Sequence, residues 1–169
     1  MTKKICFIYT ETNGLHTVNQ NVSKKNLYGI ARLISLNYLI GYRENGKFVQ
    51  IKKVKKILTP KCINFDKTAM KFHRINKEEA LKKGTDSNDI MTQFKKDLTN
   101  VKVIVSHNLP FHLKAIQAEC FRTCIYINFS SYTLIDTISF YHKSEYPKLR
   151  SLAKSLLKKT ILIKNKIII

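Results

Sequence analysis

Two short apolar runs, "VKVIVS" at 101–106 and "TLIDTI" at 133–138, flank a stretch with helical character. This spacing limits the fold more than any other feature of the chain. Each run has the length of one buried strand. Between them, residues 110–122 place Leu113, Ile116, Ala118 and Cys120 among their apolar positions, as a helix would. A strand, a crossover helix and a second strand form a parallel unit with the helix on one face of the sheet. A third apolar run at 5–10 reads as a central strand.

The segments around this unit complete the outline. Residues 16–25 are polar and read as a loop, and residues 27–42, rich in Ile, Leu and Tyr, read as one long strand. "RENG" at 43–46 is a turn, and 47–57 alternates loosely between apolar and basic residues, which gives a hairpin with one wet face. Thr59-Pro60 ends that strand. Asn76 is suited to cap a short helix over 77–83 that stops at Gly84. Asp86 or Ser87 is suited to cap the next helix, with Ile90, Met91, Phe94 and Leu98 on one face. Leu149, Leu152, Ala153, Leu156 and Leu157 mark a last amphipathic helix. The expectation is an α/β domain over 1–158 with a central mixed five-stranded sheet and helices on both faces. The tail at 159–169 is basic and apolar and either adds a strand or frays.

At 169 residues the chain is long enough for one domain with a core, and its 44% hydrophobic content argues against wholesale disorder. Thirty-one Lys+Arg against eleven Asp+Glu give a net charge of +20 and a pI near 9.9. Such a surface attracts polyanions, of which nucleic acid is the commonest. Abundant Lys, Ile and Asn with scarce Arg also fit an AT-rich genome, and the two explanations are compatible. Cysteines at 6, 62, 120 and 124 include no Cys-x-x-Cys zinc pair. No apolar run approaches membrane-spanning length. The reading is an intracellular protein with reduced thiols, cytoplasmic or nuclear, in a host cell if its source is viral.

Four pieces in order carry a family resemblance: "YTETNGL" at 9–15, "HRINKEE" from His73, "SHNLPFHLKA" at 106–115, and "LIDT" followed by "YPKLRSLAKSL". Over residues 4–157 the chain resembles the DnaQ-like 3′–5′ exonucleases of the DEDD superfamily, which implies an RNase H-like fold. In that family a strand ends in Asp-x-Glu, and residues i and i+2 of a strand face the same side. The two carboxylates, with two more from elsewhere, hold two divalent cations about 3.5–4 Å apart that drive phosphodiester hydrolysis. Mg²⁺ or Mn²⁺ would be the cofactor if this chain were active.

The chain departs from that pattern at the acids themselves. Tyr9 stands at the first Asp position and His112 at the second-motif Asp position. Residues 158–169 contain no acid and no His, so the third motif is missing. Only Glu11 persists of the four acids, as a weak metal ligand at best. Tyr9 reads as a filler of the former metal pocket or as a stacking surface for a base. Glu11 reads as pairing with His112 or a lysine. His112 is either a surface histidine at a helix start or a cationic phosphate contact. By resemblance Thr12, Asn13, Gly14, Leu15, His107, Asn108 and Phe111 are the nucleic-acid-contacting set. Read from their own chemistry, His107 and Asn108 shape a loop and Phe111 is core. Asp136 is structural by resemblance, and His142 and Glu145 read as solvated loop residues or, as the lesser alternative, as members of a rebuilt metal centre. Three functions follow: an inactive exonuclease-fold protein that binds DNA or RNA, single-stranded by preference; an active metal-dependent exonuclease with a rearranged site; or an accessory module that binds a protein partner.

Overall fold

The computed structural model describes residues 2–61, 64–140 and 148–157. Five strands form one sheet: β1 (Lys4–Thr12), β2 (Leu33–Glu44), β3 (Lys47–Ile57), β4 (Val101–Ser106) and β5 (Thr133–Asp136). Their order is β3-β2-β1-β4-β5. β1 pairs antiparallel with β2 and β2 with β3, whereas β4 runs parallel to both β1 and β5. The helices are α1 (Lys67–His73), α2 (Lys77–Lys83), α3 (Ser87–Asp97), α4 (Leu109–Thr123) and α5 (Leu149–Leu157). Among the described residues no helix is long and apolar enough to cross a membrane.

The expected elements are present, with three corrections. The strand expected over 27–42 begins only at Leu33. Residues Lys24–Gly29 instead form a 3-10 turn, opened by reciprocal bonds between Ser23 and Asn26. Gly29 is needed there, because a Cβ would lie 2.4 Å from Val18 Cγ1. The strand expected over 133–138 stops at Asp136, whose carboxylate accepts the Ile138 N–H at 3.0 Å and turns the chain. Helix α1 was not expected. Asp66 caps it through the Ala69 N–H at 2.8 Å, and Arg74 ends it in the left-handed region at φ 58°. Its few apolar positions, Met70 and Phe72 among them, give too short a period to read. The hairpin turn falls on Asn45 and Gly46, both at positive φ, as a two-residue turn matched to strand twist requires. The expected tail at 159–169 lies outside the described residues.

The two faces of β1 differ. Cys6, Ile8, Thr10 and Thr12 are buried, and with Leu36, Tyr38 and Ile40 of β2 the apolar ones pack on Phe94, Leu98, Ile116 and Cys120 of the α3 and α4 layer. Tyr38 closes the edge of this core, donating to Asp97 Oδ2 at 2.6 Å while Lys52 of β3 bonds Oδ1 at 2.6 Å. On the opposite face stand Phe7, Tyr9 and Glu11, which are only partly covered. The register places Tyr9, Asn37 and Lys55 in one row across β1, β2 and β3, and Phe7, Leu39 and Lys53 in the next. A register shift between Glu11 and Thr12 ends the regular ladder at the motif.

Candidate nucleic-acid interface

β1 and β4 run parallel, so their carboxyl ends emerge together, and α4 starts there. This is where open α/β sheets gather binding residues. The start of α4 is built by Asp136 from β5. Its Oδ1 accepts the Asn108 N–H at 2.9 Å and its Oδ2 the Leu109 N–H at 3.1 Å. Asn108 takes the left-handed conformation at φ 64°. His107 Nδ1 lies 2.9 Å from Thr137 Oγ1. With three backbone donors on its carboxylate, Asp136 supports the loop.

Tyr9 and Glu11 stand side by side on the open face. The Tyr9 hydroxyl donates to Glu11 Oε1 at 3.1 Å. Burial first, then the Glu11 charge and this hydrogen bond, push the phenol well above its usual pKa. The phenol stays protonated and serves Glu11 as a donor.

His112 lies beside Tyr9, with ring centroids 5.1 Å apart. Its environment differs from either expectation. It is neither a surface residue nor a cation, being buried at 6% exposure with its pKa lowered to about 4, chiefly by burial. A hydrogen bond with the His107 backbone and the Asp136 charge oppose that shift without cancelling it. Its Nδ1 accepts the Thr10 N–H at 3.2 Å and lies 2.8 Å from Thr10 Oγ1. The imidazole therefore joins α4 to the backbone of β1 as a neutral ring. The Glu11 bond that the geometry shows is to Tyr9, not to His112.

The other expected contact residues divide. Asn13 holds the turn, its Oδ1 accepting the Arg32 N–H at 2.7 Å and its Nδ2 donating to Asn64 O at 2.9 Å. Thr12 is buried and donates to Gly14 O at 2.7 Å. Phe111 is half-buried rather than core, stacked on His16 at 4.4 Å between centroids. Gly14 and the exposed Leu15 line a cleft of about 380 Å³ with Tyr28, Arg32 and Arg122. Behind it, the buried Glu119 accepts from Arg32 at 3.0 Å and from Arg122 at 3.1 Å. A separate cleft of about 470 Å³ is lined by Tyr9, Glu11, Asn37, Lys55, Phe72 and His73, among others. The motif residues thus serve two neighbouring clefts.

The resemblance implies a divalent metal, and the donors present do not fit one. Mg²⁺ requires several hard anionic oxygens. Here one carboxylate is hydrogen-bonded to a protonated phenol, the neutral imidazole is turned onto Thr10, and Asp136 is committed to three N–H groups. Among the described residues no group of three His, Cys, Asp or Glu side chains could hold a metal ion. His142 and Glu145 lie outside the described residues.

Solved structures of exonuclease I share this architecture. Its product-bound form superposes with a TM-score of 0.66 at 15% identity, covering 83% of this chain and 31% of that one. The fold is RNase H-like. The E. coli enzyme in complex with a dT13 oligonucleotide gives 0.66 at 14% identity, covering 82% and 28%. The complex of ExoI with SSB-Ct gives 0.66 at 14%, covering 83% and 29%. The chain spans less than a third of the length of these RNase H-like neighbours. No protein-family profile and no curated protein sequence matches it.

Sequence reasoning missed Lys55, Phe72, Tyr28 and Arg32 as cleft residues. Lys55 was readable from the hairpin, because counting back from the Asn45-Gly46 turn places it opposite Asn37 once a bulge near Gly41 is allowed. Arg32 carried a faint signal as one of few arginines in a lysine-rich chain. Phe72 and Tyr28 carried none.

Proposed function

We propose that this protein binds single-stranded nucleic acid on its RNase H-like scaffold and has lost the two-metal hydrolytic chemistry that the scaffold supports elsewhere. The observation that carries the reading is the Tyr9 to Glu11 hydrogen bond at 3.1 Å. It places a protonated phenol where the exonuclease pattern has a carboxylate, and it occupies the one acid that remains. Binding without cutting needs only a cleft, cations and aromatic faces. The cleft beside Tyr9 supplies Lys55, Lys56 and the exposed Phe72. The net charge of +20 adds long-range attraction for a phosphate chain. The oligonucleotide held by the E. coli exonuclease I neighbour supports the ligand class.

The test is titration of labelled oligothymidylate and oligouridylate at two salt concentrations, followed by digestion assays with Mg²⁺ and Mn²⁺. The account predicts binding that weakens steeply with salt and a strand that stays intact. No binding at low salt would remove the proposal. Shortening of the strand by wild-type protein but not by Glu11→Ala would replace it with an active exonuclease.

A second reading, an accessory module for a protein partner, has its own support. An apolar cleft of about 690 Å³ lies between the 21–24 segment and the end of α4, with Phe121 and Tyr126 exposed at it. A complex that survives nuclease treatment after purification from the native source would favour that reading.

A further inference from the structure

β3 is an edge strand carrying lysines on both faces, and the two faces treat them differently. Lys52 points toward the core face and is paired with Asp97 at 2.6 Å. Lys53 and Lys55 point to the open face, are exposed, and among the described residues have no carboxylate partner. Lysines on a sheet edge discourage pairing with another strand, and that role would be met by lysines on either face. It does not account for two unpaired lysines in register with the open cleft.

The register supplies the further fact. Lys55 shares a row with Asn37 and Tyr9, and Lys53 shares the next with Leu39 and Phe7. Beyond that row Phe48 packs edge-on against Phe7, with centroids 5.3 Å apart, and is 39% exposed. At the other end Phe72, 70% exposed, lines the cleft with Tyr9. The open face therefore shows, in order, Phe72, Tyr9 with Lys55, Lys53 and Phe48. Residues i and i+2 of a strand are about 7 Å apart, close to the repeat of successive phosphates in an extended nucleic-acid strand.

We propose that this face of β3 is an extension of the binding cleft, along which a single strand leaves the Tyr9 cleft with its phosphates on Lys55 and Lys53 and a base against Phe48. The inference rests on the nucleic-acid reading above and adds a path along the edge strand. Aromatic faces interleaved with cations suit unpaired bases, which are free to stack; a duplex hides its bases.

The experiment uses the full chain and a labelled oligothymidylate of about fifteen nucleotides, long enough to reach past the cleft. Affinity is measured over a salt series for wild type, Lys53→Glu/Lys55→Glu, Lys53→Ala/Lys55→Ala, and the control Lys95→Glu/Lys96→Glu. The control makes the same charge change at exposed positions of α3, across the sheet. The β3 reversal should weaken binding at least about tenfold more than the control, and the alanine pair should lower the salt slope by about 1.4, the share of two phosphate contacts on a single strand. The alanine pair keeps the test valid should the reversal misfold. If wild type binds and the β3 variants match the control in affinity and slope, the path is wrong and the nucleic-acid reading stands. If wild type binds no oligothymidylate, both fall together.

Discussion

The two faces of β1 have met different constraints. The face carrying Cys6, Ile8 and Thr10 is sealed by α3 and α4 and keeps the packing of an RNase H-like core. Burial even pushes the Cys6 thiol up to about 12, so it behaves as an inert apolar group. The face carrying Tyr9 and Glu11 is open, and on the proposed reading Tyr9 stands there in place of one acid of the resembled family while Glu11 is kept. A core position is judged by volume and contact with many neighbours, so the scaffold persists. A metal ligand is judged by the charge, donor type and placement of a single side chain, so one change from carboxylate to phenol is enough to remove it. A shared fold is therefore poor evidence for shared chemistry.

Substitutions on the two faces should separate cleanly. Phe94→Ala, at a fully buried position on the core side, should cost about 3–5 kcal/mol by urea unfolding. Acid should act through the junction between the faces. His112 is neutral in the fold with a pKa of about 4 against an ordinary 6.5. Between those values the unfolded chain binds more protons, so the contribution is complete above pH 6.5 and lost as pH falls toward 4. The loss should be roughly 2–4 kcal/mol. The half-buried His16, also lowered, acts with the same sign. His112→Asn should remove most of this slope, read as the urea midpoint at pH 7 against pH 4.5; an unchanged slope would mean that His112 is charged in the fold.

Asp136 and Glu11 offer the sharper contrast of two acids at one end of the sheet. Asp136→Ala strips three backbone N–H groups of their acceptor and should cost about 2 kcal/mol. Tyr9→Phe, which removes an accessible hydrogen bond, should cost less than about 1 kcal/mol. If Tyr9→Phe proved as damaging as Phe94→Ala, the open face would be part of the core and the comparison would fail.

Much of the fold was legible because its signals are local. The parallel unit from β4 through α4 to β5 follows from two apolar runs around a helix, and the Asn45-Gly46 turn sets the hairpin. Caps at Asn76 and Asp86 gave α2 and α3 their starts. The 3-10 turn before β2 was not legible, because it depends on the distant Val18 packing onto Gly29. For the site, identities at positions 9, 11 and 112 were legible and environments were not. His112 lies 102 residues from Thr10, its partner, and no sequence pattern states that it will be buried and neutral. The sharing of motif residues between two clefts is likewise a tertiary fact.

The central claim is that Tyr9 and Glu11 form a hydrogen-bonded pair in place of a metal site. Calorimetric titration of the folded protein with Mn²⁺ tests it most directly, with Tyr9→Asp alongside to rebuild the Asp-x-Glu pair. The account predicts no heat of binding for wild type at millimolar Mn²⁺, and measurable uptake by Tyr9→Asp. Saturable Mn²⁺ binding by wild type that Glu11→Ala abolishes would contradict it.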